Sequence, residues 1–436
     1  MGRQPDEKRP PIVIVAAEGG GIVGAYWTAS VLAGLEKASP GFSSHVFAIS
    51  GVSGGSLGGA VFNALLAEEQ QHRGRYCAAK TDLLLCAQTM LRHDFVAPLF
   101  AAMLYPDLVQ RFLPFQPYPG RWDRGVALEM AWERAWDEIA DHTGKNPFTM
   151  AFEQLWDWEH PWRLPGLVLQ STSVEQGKRA LLSNFRIRQE VSSCQEAIEA
   201  TSRLPFHDVL DFSEALKCSG DPAKGPLQGR LSTAVHNSAR FSFVSPAGKV
   251  SRNFHVVDGG YFENSGATTA AELVQVIEAR KEDLVPIVIY ISNSPPGHEP
   301  LDITGQPWLG LVVESLEKTK RRYFSETLMP IQAIINARSG RGSFAVNWLQ
   351  LHLDSDESRP KRFFTFRLMS GGVEFPLGWT LSESAWTQMD QQLNAYFSRK
   401  ECKSDDLAAL SIDKFLLNCQ MDKYSAETRP NLPTVR

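Results

Sequence analysis

No stretch of this chain reaches the ~18 consecutive apolar residues that a membrane-crossing helix requires, and no long apolar segment follows Lys8-Arg9-Pro10 as it would in a secretory leader. The sequence therefore predicts a soluble protein, cytoplasmic, that meets lipid only by docking on a membrane surface. Cysteine is scarce. The six present (Cys77, Cys86, Cys194, Cys218, Cys402 and Cys419) include no C-x-x-C pair, so they read as buried or incidental thiols in a reducing compartment, with Cys194 and Cys218 able to pair only after export. There is no H-E-x-x-H and no EF-hand loop, so neither a metal nor another cofactor is expected. Charge of either sign is not in excess. Forty-four Lys and Arg oppose 49 Asp and Glu for a net −5, which gives no general attraction to nucleic acid or to anionic membranes. Repeats and low-complexity tracts are absent. What remains is an ordinary globular mixture, 43% hydrophobic and 21% charged over 436 residues, long enough for one large domain or two.

Against that plain background three segments stand out. The apolar run Val46-Phe47-Ala48-Ile49 leads into Gly51-Val52-Ser53-Gly54-Gly55, and a helix-like stretch follows. A serine flanked by glycines between strand and helix fits a nucleophile elbow, a turn so sharp that bulky neighbours cannot be accommodated. Its hydroxyl would stand above a helix N-terminus, whose unpaired N–H groups favour an oxyanion. Upstream, the strand-like Ile12-Val13-Ile14-Val15-Ala16-Ala17 ends in Glu18-Gly19-Gly20-Gly21. Consecutive glycines expose backbone N–H groups that can cradle an anion. A nucleotide-phosphate loop would need a following G-K-[ST] or G-x-G-x-x-G pattern, and neither is present. Downstream, Phe254-His255-Val256-Val257-Asp258-Gly259-Gly260 is an apolar strand ending in an acid. Asp258 is placed either to cap a turn or to reach the serine across the top of a sheet.

In their order and their strand or helix setting, these segments resemble the patatin-like phospholipases. The resemblance implies that Gly19, Gly20 and Gly21, together with Gly54, form the oxyanion hole, that Ser53 is the nucleophile and that Asp258 is its base. It extends by motif over roughly residues 10 to 290, with echoes in Asn237-Ser238-Ala239-Arg240-Phe241 and Phe262-Glu263-Asn264-Ser265-Gly266. It also implies an α/β fold of three layers, α/β/α, around a mainly parallel sheet, with helical, cap-like insertions. Two positions depart: Glu18 stands where the family's glycine loop has Asp, keeping the charge, and Val23 stands where it carries a cation, leaving Arg240 or Arg252 as substitutes.

A serine needs a base to take its proton, and the chain's ten histidines require a triad to be weighed. His298 falls in the turn-like Ser294-Pro295-Pro296-Gly297, and His352 alternates with Leu351 and Leu353; each reads as structural. Only about forty residues separate the first strand from Ser53, too few for the several strands that precede the elbow of an α/β-hydrolase. A carboxylate acting alone needs a partly dry setting, which Asp258 has beside Val257.

Along the chain the sequence predicts a disordered lead over 1–10, a catalytic domain over 11–300 and a C-terminal extension over 301–436 packed on the same domain. Strands are expected at Gly166–Ser173, Lys178–Asn184, Val285–Ser292, Val346–Leu353 and Phe363–Leu368. Helices are expected at Ala25–Lys37, Gly54–Gln70, Asp123–Ile139, Gly266–Arg280, Gln306–Arg338 with an interruption, and Ser382–Phe397. Residues 80–140 form a helical insertion, an apolar layer that is either core or cap, including Phe95, Leu99, Phe100, Met103, Leu104 and Phe112. The basic run Lys318-Thr319-Lys320-Arg321-Arg322 reads as a solvated helix face.

The expected activity is hydrolysis of phospholipid acyl esters through an acyl-enzyme. Acyl transfer to another acceptor, or a non-catalytic lipid-binding module, are the alternatives. The expected partner is a phospholipid membrane surface, with a regulatory partner or a second copy of the chain as further candidates and nucleic acid excluded.

Overall fold

The structure, a computed structural model, describes residues 10–72, 77, 82–113, 123–140, 145–156, 164–187, 205–206, 208–212, 229–241, 244–251, 254–279, 284–293, 325–356, 359–369, 375, 378–398 and 412–419. His298, Arg252, the basic run at 318–322, Cys194, Cys218 and Cys402 lie outside them.

Seven strands follow one another across the sheet in the order β5-β4-β3-β2-β1-β8-β9: β1 Pro11–Ala17, β2 Val46–Val52, β3 Gly166–Ser173, β4 Arg179–Ser183, β5 Val209–Asp211, β8 Val285–Ser292 and β9 Phe363–Arg367. Two more, β6 Gly248–Ser251 and β7 Phe254–Asp258, join through β3. The β1–β2, β1–β8, β2–β3, β4–β5 and β8–β9 pairs are parallel, and β3–β4, β3–β7 and β6–β7 are antiparallel. The protein is thus α/β with a mainly parallel central sheet.

Helices cover both faces, as strands without a polar side require. Alternate residues of β1 divide between two cores. Val13, Val15 and Ala17 join the larger one, with α1 (Gly21–Ala38) and α2 (Gly54–His72). Ile14 and Ala16 join the other, built on helix Ala267–Ala279 (α8 below) and helix Ser325–Asp354 (α9). The period-two split is that of a strand buried on both sides.

Between β2 and β3 come α3 (Leu83–Leu91), α4 (Val96–Ala102), a π turn at Met103–Asp107, α5 (Leu108–Phe112) and α6 (Arg124–Ile139). The short α7 (Leu231–Ser238) precedes β6, and α10 (Glu383–Phe397) and α11 (Ile412–Cys419) close the described chain. The 80–140 insertion is neither wholly core nor wholly cap. Phe95 and Leu99 are buried, while Phe100, Leu104, Tyr105, Leu108, Val109 and Phe112 are exposed.

Two expectations are corrected. The strand expected over Val346–Leu353 is the end of α9. Ala345, Val346, Leu349 and Leu353 are buried and Leu351 is exposed, a helical stripe that a short window confuses with alternation. The thiols among the described residues are also not free. Cys77 and Cys86 form a disulfide with Cα atoms 6.0 Å apart, a distance that a nine-residue separation in sequence does not reveal. Cys419 is disulfide-bonded as well.

Candidate active site

The site forms where β2 ends. Val52 pairs with Gln170 of β3, and the next position on that same edge, Ser171, pairs with Asp258 of the incoming antiparallel β7. The opposite edge of β3 is occupied by β4. So β7 takes up the edge that β2 leaves, and the last residue of β7 meets the first residue past β2. Ser53 Oγ donates to Asp258 Oδ2 at 2.7 Å.

Ser53 holds φ 51°, one of two non-glycine residues with positive φ among the described residues. That conformation costs on the order of 1–3 kcal/mol and persists only where the surroundings fix it. Here they do. The Ser53 N–H donates to Ser238 Oγ at 3.0 Å, and that hydroxyl donates to the Gln170 carbonyl and contacts Ser56 Oγ at 2.8 Å. A Cβ on Gly54 would overlap the Gly21 carbonyl oxygen, so only glycine permits the elbow and the glycine loop to lie this close.

Asp258 is 3% exposed. Burial pushes its carboxyl up to about 6, against hydrogen bonds from Ser53 and the Gly260 N–H and the positive charge of Arg338. Its second oxygen, Oδ1, accepts from Gly260 N–H at 2.7 Å, which orients Oδ2 toward the serine. A carboxylate with this affinity for protons is a better base at neutral pH than a solvated one.

The glycine loop is suspended from the end of β8. Ser292 Oγ and the Asn293 N–H donate to Glu18 Oε2 at 2.6 and 3.0 Å, and Asn293 Nδ2 donates to the Gly19 carbonyl at 2.8 Å. Of the residues expected in the oxyanion hole, Gly19 has its N–H committed to the Asn264 carbonyl at 2.9 Å, so it secures the loop and has no donor left for a substrate. Gly20 and Gly21 line the cleft with Ser53. Gly21 and Gly54 open α1 and α2, where first-turn N–H groups have no helical acceptor.

The cleft has a volume of about 90 Å³ and is completed by Phe241, Val244, Asp258, Gly260, Asn264, Arg338, Gly378 and Trp379. That is well below the roughly 300–1,000 Å³ of a pocket enclosing a whole small ligand, so it is sized for a reacting group. Of these residues, Phe241 and Asn264 fall in segments that carry the family resemblance, but Arg338, Gly378 and Trp379 come from far along the chain without a local signal. Neither Arg240 nor Val23 supplies a cation here. Arg240 donates to Asn237 Oδ1, the Pro246 carbonyl and Glu129 Oε1.

Of the two histidines weighed from sequence, only His352 is among the described residues, and it is absent from the cleft lining. His352 contacts Glu278 at 2.8 Å and stacks on Trp348. A different histidine makes a triad-like chain: His236 Nε2 lies 2.8 Å from Ser245 Oγ, and Nδ1 lies 2.7 Å from Glu129 Oε1. This network ties α6 to α7. Ser245 is absent from the cleft lining and has no positive φ, and Glu129 is further bound by Thr233 Oγ1 and Arg240. It is a buried polar clamp with every member partnered.

The fold and the site define an α/β protein with a strained elbow serine, a buried carboxylate partner and a glycine loop. No family model matches the sequence, and no curated protein matches it. Among solved structures the chain is similar to VipD from Legionella pneumophila, with a TM-score of 0.30 and 9% identity over 89% of this chain and 67% of that one. Likeness at that level carries no argument about the site, which stands on its own geometry. No described helix is long and apolar enough to cross a membrane.

Proposed function

We propose that this protein is a patatin-like serine acyl hydrolase that cleaves acyl esters of phospholipids. The observation that carries the reading is the 2.7 Å hydrogen bond from Ser53 Oγ to Asp258 Oδ2, made by a serine at φ 51°. Ser53 Oγ attacks the ester carbonyl carbon while its proton passes to Asp258. The carbonyl oxygen takes the negative charge beside the N–H groups of Gly20, Gly21 and Gly54. Collapse breaks the bond to the leaving alcohol, which receives the proton from Asp258, and the acyl group stays on Ser53. Water then attacks with Asp258 as base, releasing the fatty acid and restoring the serine. Losing one oxyanion donor typically costs ~100- to 1,000-fold in turnover. Acyl transfer to another alcohol shares the first half of this cycle.

The exposed apolar arm over α4, the π turn and α5 supports action at a lipid surface. It is fastened to the cleft at two points. Phe95 N–H donates to the Trp379 carbonyl at 3.2 Å, and Arg124 joins Asp107 to the Val244 carbonyl. The protein is read as peripheral to a membrane when active. The Cys77–Cys86 disulfide favours an oxidising compartment over the cytoplasm expected from sequence.

Mass spectrometry of mixed phospholipid vesicles incubated with the purified protein tests the reading. Release of free fatty acid and lysophospholipid by the wild type, and not by Ser53→Ala, is expected. Unchanged lipid with wild-type protein would refute it.

A further inference from the structure

Arg338 is the one cationic side chain among the described residues that line the cleft. It sits on α9, lines the same cleft as Ser53, Gly20, Gly21 and Asp258, and makes no ion pair with a described residue. Its Nε is buried and has no hydrogen-bond partner. Arg179 Nε is likewise unmatched, but Arg179, Arg240 and Arg341 each have an ion-pair or ring partner. Arg179 pairs with Glu272 at 2.8 Å, Arg240 is held by Glu129 and Asn237, and Arg341, one turn further along α9, lies over the Phe262 ring at 4.7 Å. A buried guanidinium donor left unmatched is costly. Asp258 is the acid closest to it in the cleft, and its carboxylate already accepts from Ser53 and Gly260.

The lining combines two chemistries. Phe241, Val244 and Trp379 are apolar, and Arg338 is the cation. A glycerophospholipid combines the same two, an acyl chain on the ester and a phosphate a few bonds away. Guanidinium is suited to a phosphate because it offers several N–H donors in one plane. Resting on the ester-hydrolase reading above, we propose that Arg338 is the phosphate-binding residue of this site, selecting lipids that carry a phosphodiester beside the cleaved ester.

The test compares soluble dihexanoylphosphatidylcholine with dihexanoylglycerol, which lacks the phosphate, at pH 8 where Asp258 is ionised. Arg338→Ala and Arg338→Gln should lower kcat/KM on the phospholipid about 10- to 100-fold more than on the neutral lipid, mainly through KM. Arg338→Lys should recover part of the difference. Equal losses on both lipids would make Arg338 a support for Asp258 and overturn the proposal, as would no loss on either. Calorimetry on Ser53→Ala needs no turnover. There, dihexanoylphosphatidylcholine should bind more tightly than inorganic phosphate, and the added Arg338→Ala change should abolish that binding. Tighter binding of inorganic phosphate would assign the site to a free anion and overturn the lipid headgroup. If wild type cleaves neither lipid, the hydrolase reading fails, and the binding arm still decides the role of Arg338.

Discussion

Val52 and Asp258 occupy consecutive positions along one edge of β3, Val52 opposite Gln170 and Asp258 opposite Ser171. That relationship puts a parallel strand and an antiparallel strand end to end, and it delivers the carboxylate to the serine at the gap between them. The contact is therefore set by backbone registers and not by a flexible loop, which is the arrangement that precise positioning calls for.

The pH profile follows from the burial of Asp258. Its carboxyl lies at about 6 instead of the ordinary 3.8, and only the ionised form can accept a proton. The expected kcat/KM on a neutral soluble ester rises with one ionisation near pH 6 and is level to about pH 8. The stability sign is opposite. A raised carboxyl favours the fold when protonated, and that contribution declines as pH rises from about 4 through about 6. A profile rising near pH 4, or one with the midpoint of a free imidazole that disappears in a histidine variant, would contradict the assignment.

Asp258→Asn should fold, be at least as stable as wild type at neutral pH, and lose roughly 100- to 10,000-fold in turnover. The amide retains an oxygen for Gly260 N–H but cannot take the proton of Ser53. The controls are His236→Gln, His298→Ala and His352→Ala. His236→Gln should lower thermal stability by opening the clamp with Glu129 and Ser245 while retaining the ester-cleaving step in the folded fraction. A dead histidine variant beside an active Asp258→Asn would replace the dyad with a triad.

The arm that carries Phe100, Met103 and Leu104 should separate interfacial from soluble activity. Tyr105 and Phe112 are 75% and 79% exposed, an unusual outlay of apolar surface for a monomer. Replacing Phe100, Met103 and Leu104 by polar residues should reduce hydrolysis of vesicles by tenfold or more and leave a short-chain soluble ester within about twofold. Met103 is partly buried, so circular dichroism of the variant is the control for folding. Equal losses on both substrates would make the arm structural.

The disulfide gives a separate check on compartment. Trapped protein from an oxidising preparation should yield a peptide linking Cys77 and Cys86, and reduction should lower unfolding stability by about 2–3 kcal/mol for a loop this short. Free thiols at both positions would return the protein to the reducing setting expected from sequence.

Much of the fold was legible because its strands are long apolar runs. The strands at Gly166–Ser173 and Val285–Ser292 match their expected bounds, and the helices after the glycine loop and the elbow fall where expected. The failures have physical causes. The end of α9 carries leucines at both two- and four-residue spacings, so a short window could not tell the periods apart. The role of Gly19 depends on an acceptor, Asn264, that is distant in the chain. Ser238, Asn293 and Arg338 act through tertiary contacts, and a single polar residue on a helix or at a strand end carries no local mark of that. The triad-like group at His236 was also invisible, since its three members come from α6, α7 and the loop beyond α7.

The central claim is that Ser53, with Asp258 as its base, is the nucleophile. A fluorophosphonate probe, followed by peptide mapping, tests it most directly, because stable labelling requires an activated serine beside an oxyanion site. One labelled residue, Ser53, is expected, with labelling abolished in Ser53→Ala, slowed at least ~100-fold in Asp258→Asn and retained in Ser245→Ala. A label on Ser245, or labelling of Ser53 that proceeds unchanged in Asp258→Asn, would contradict it.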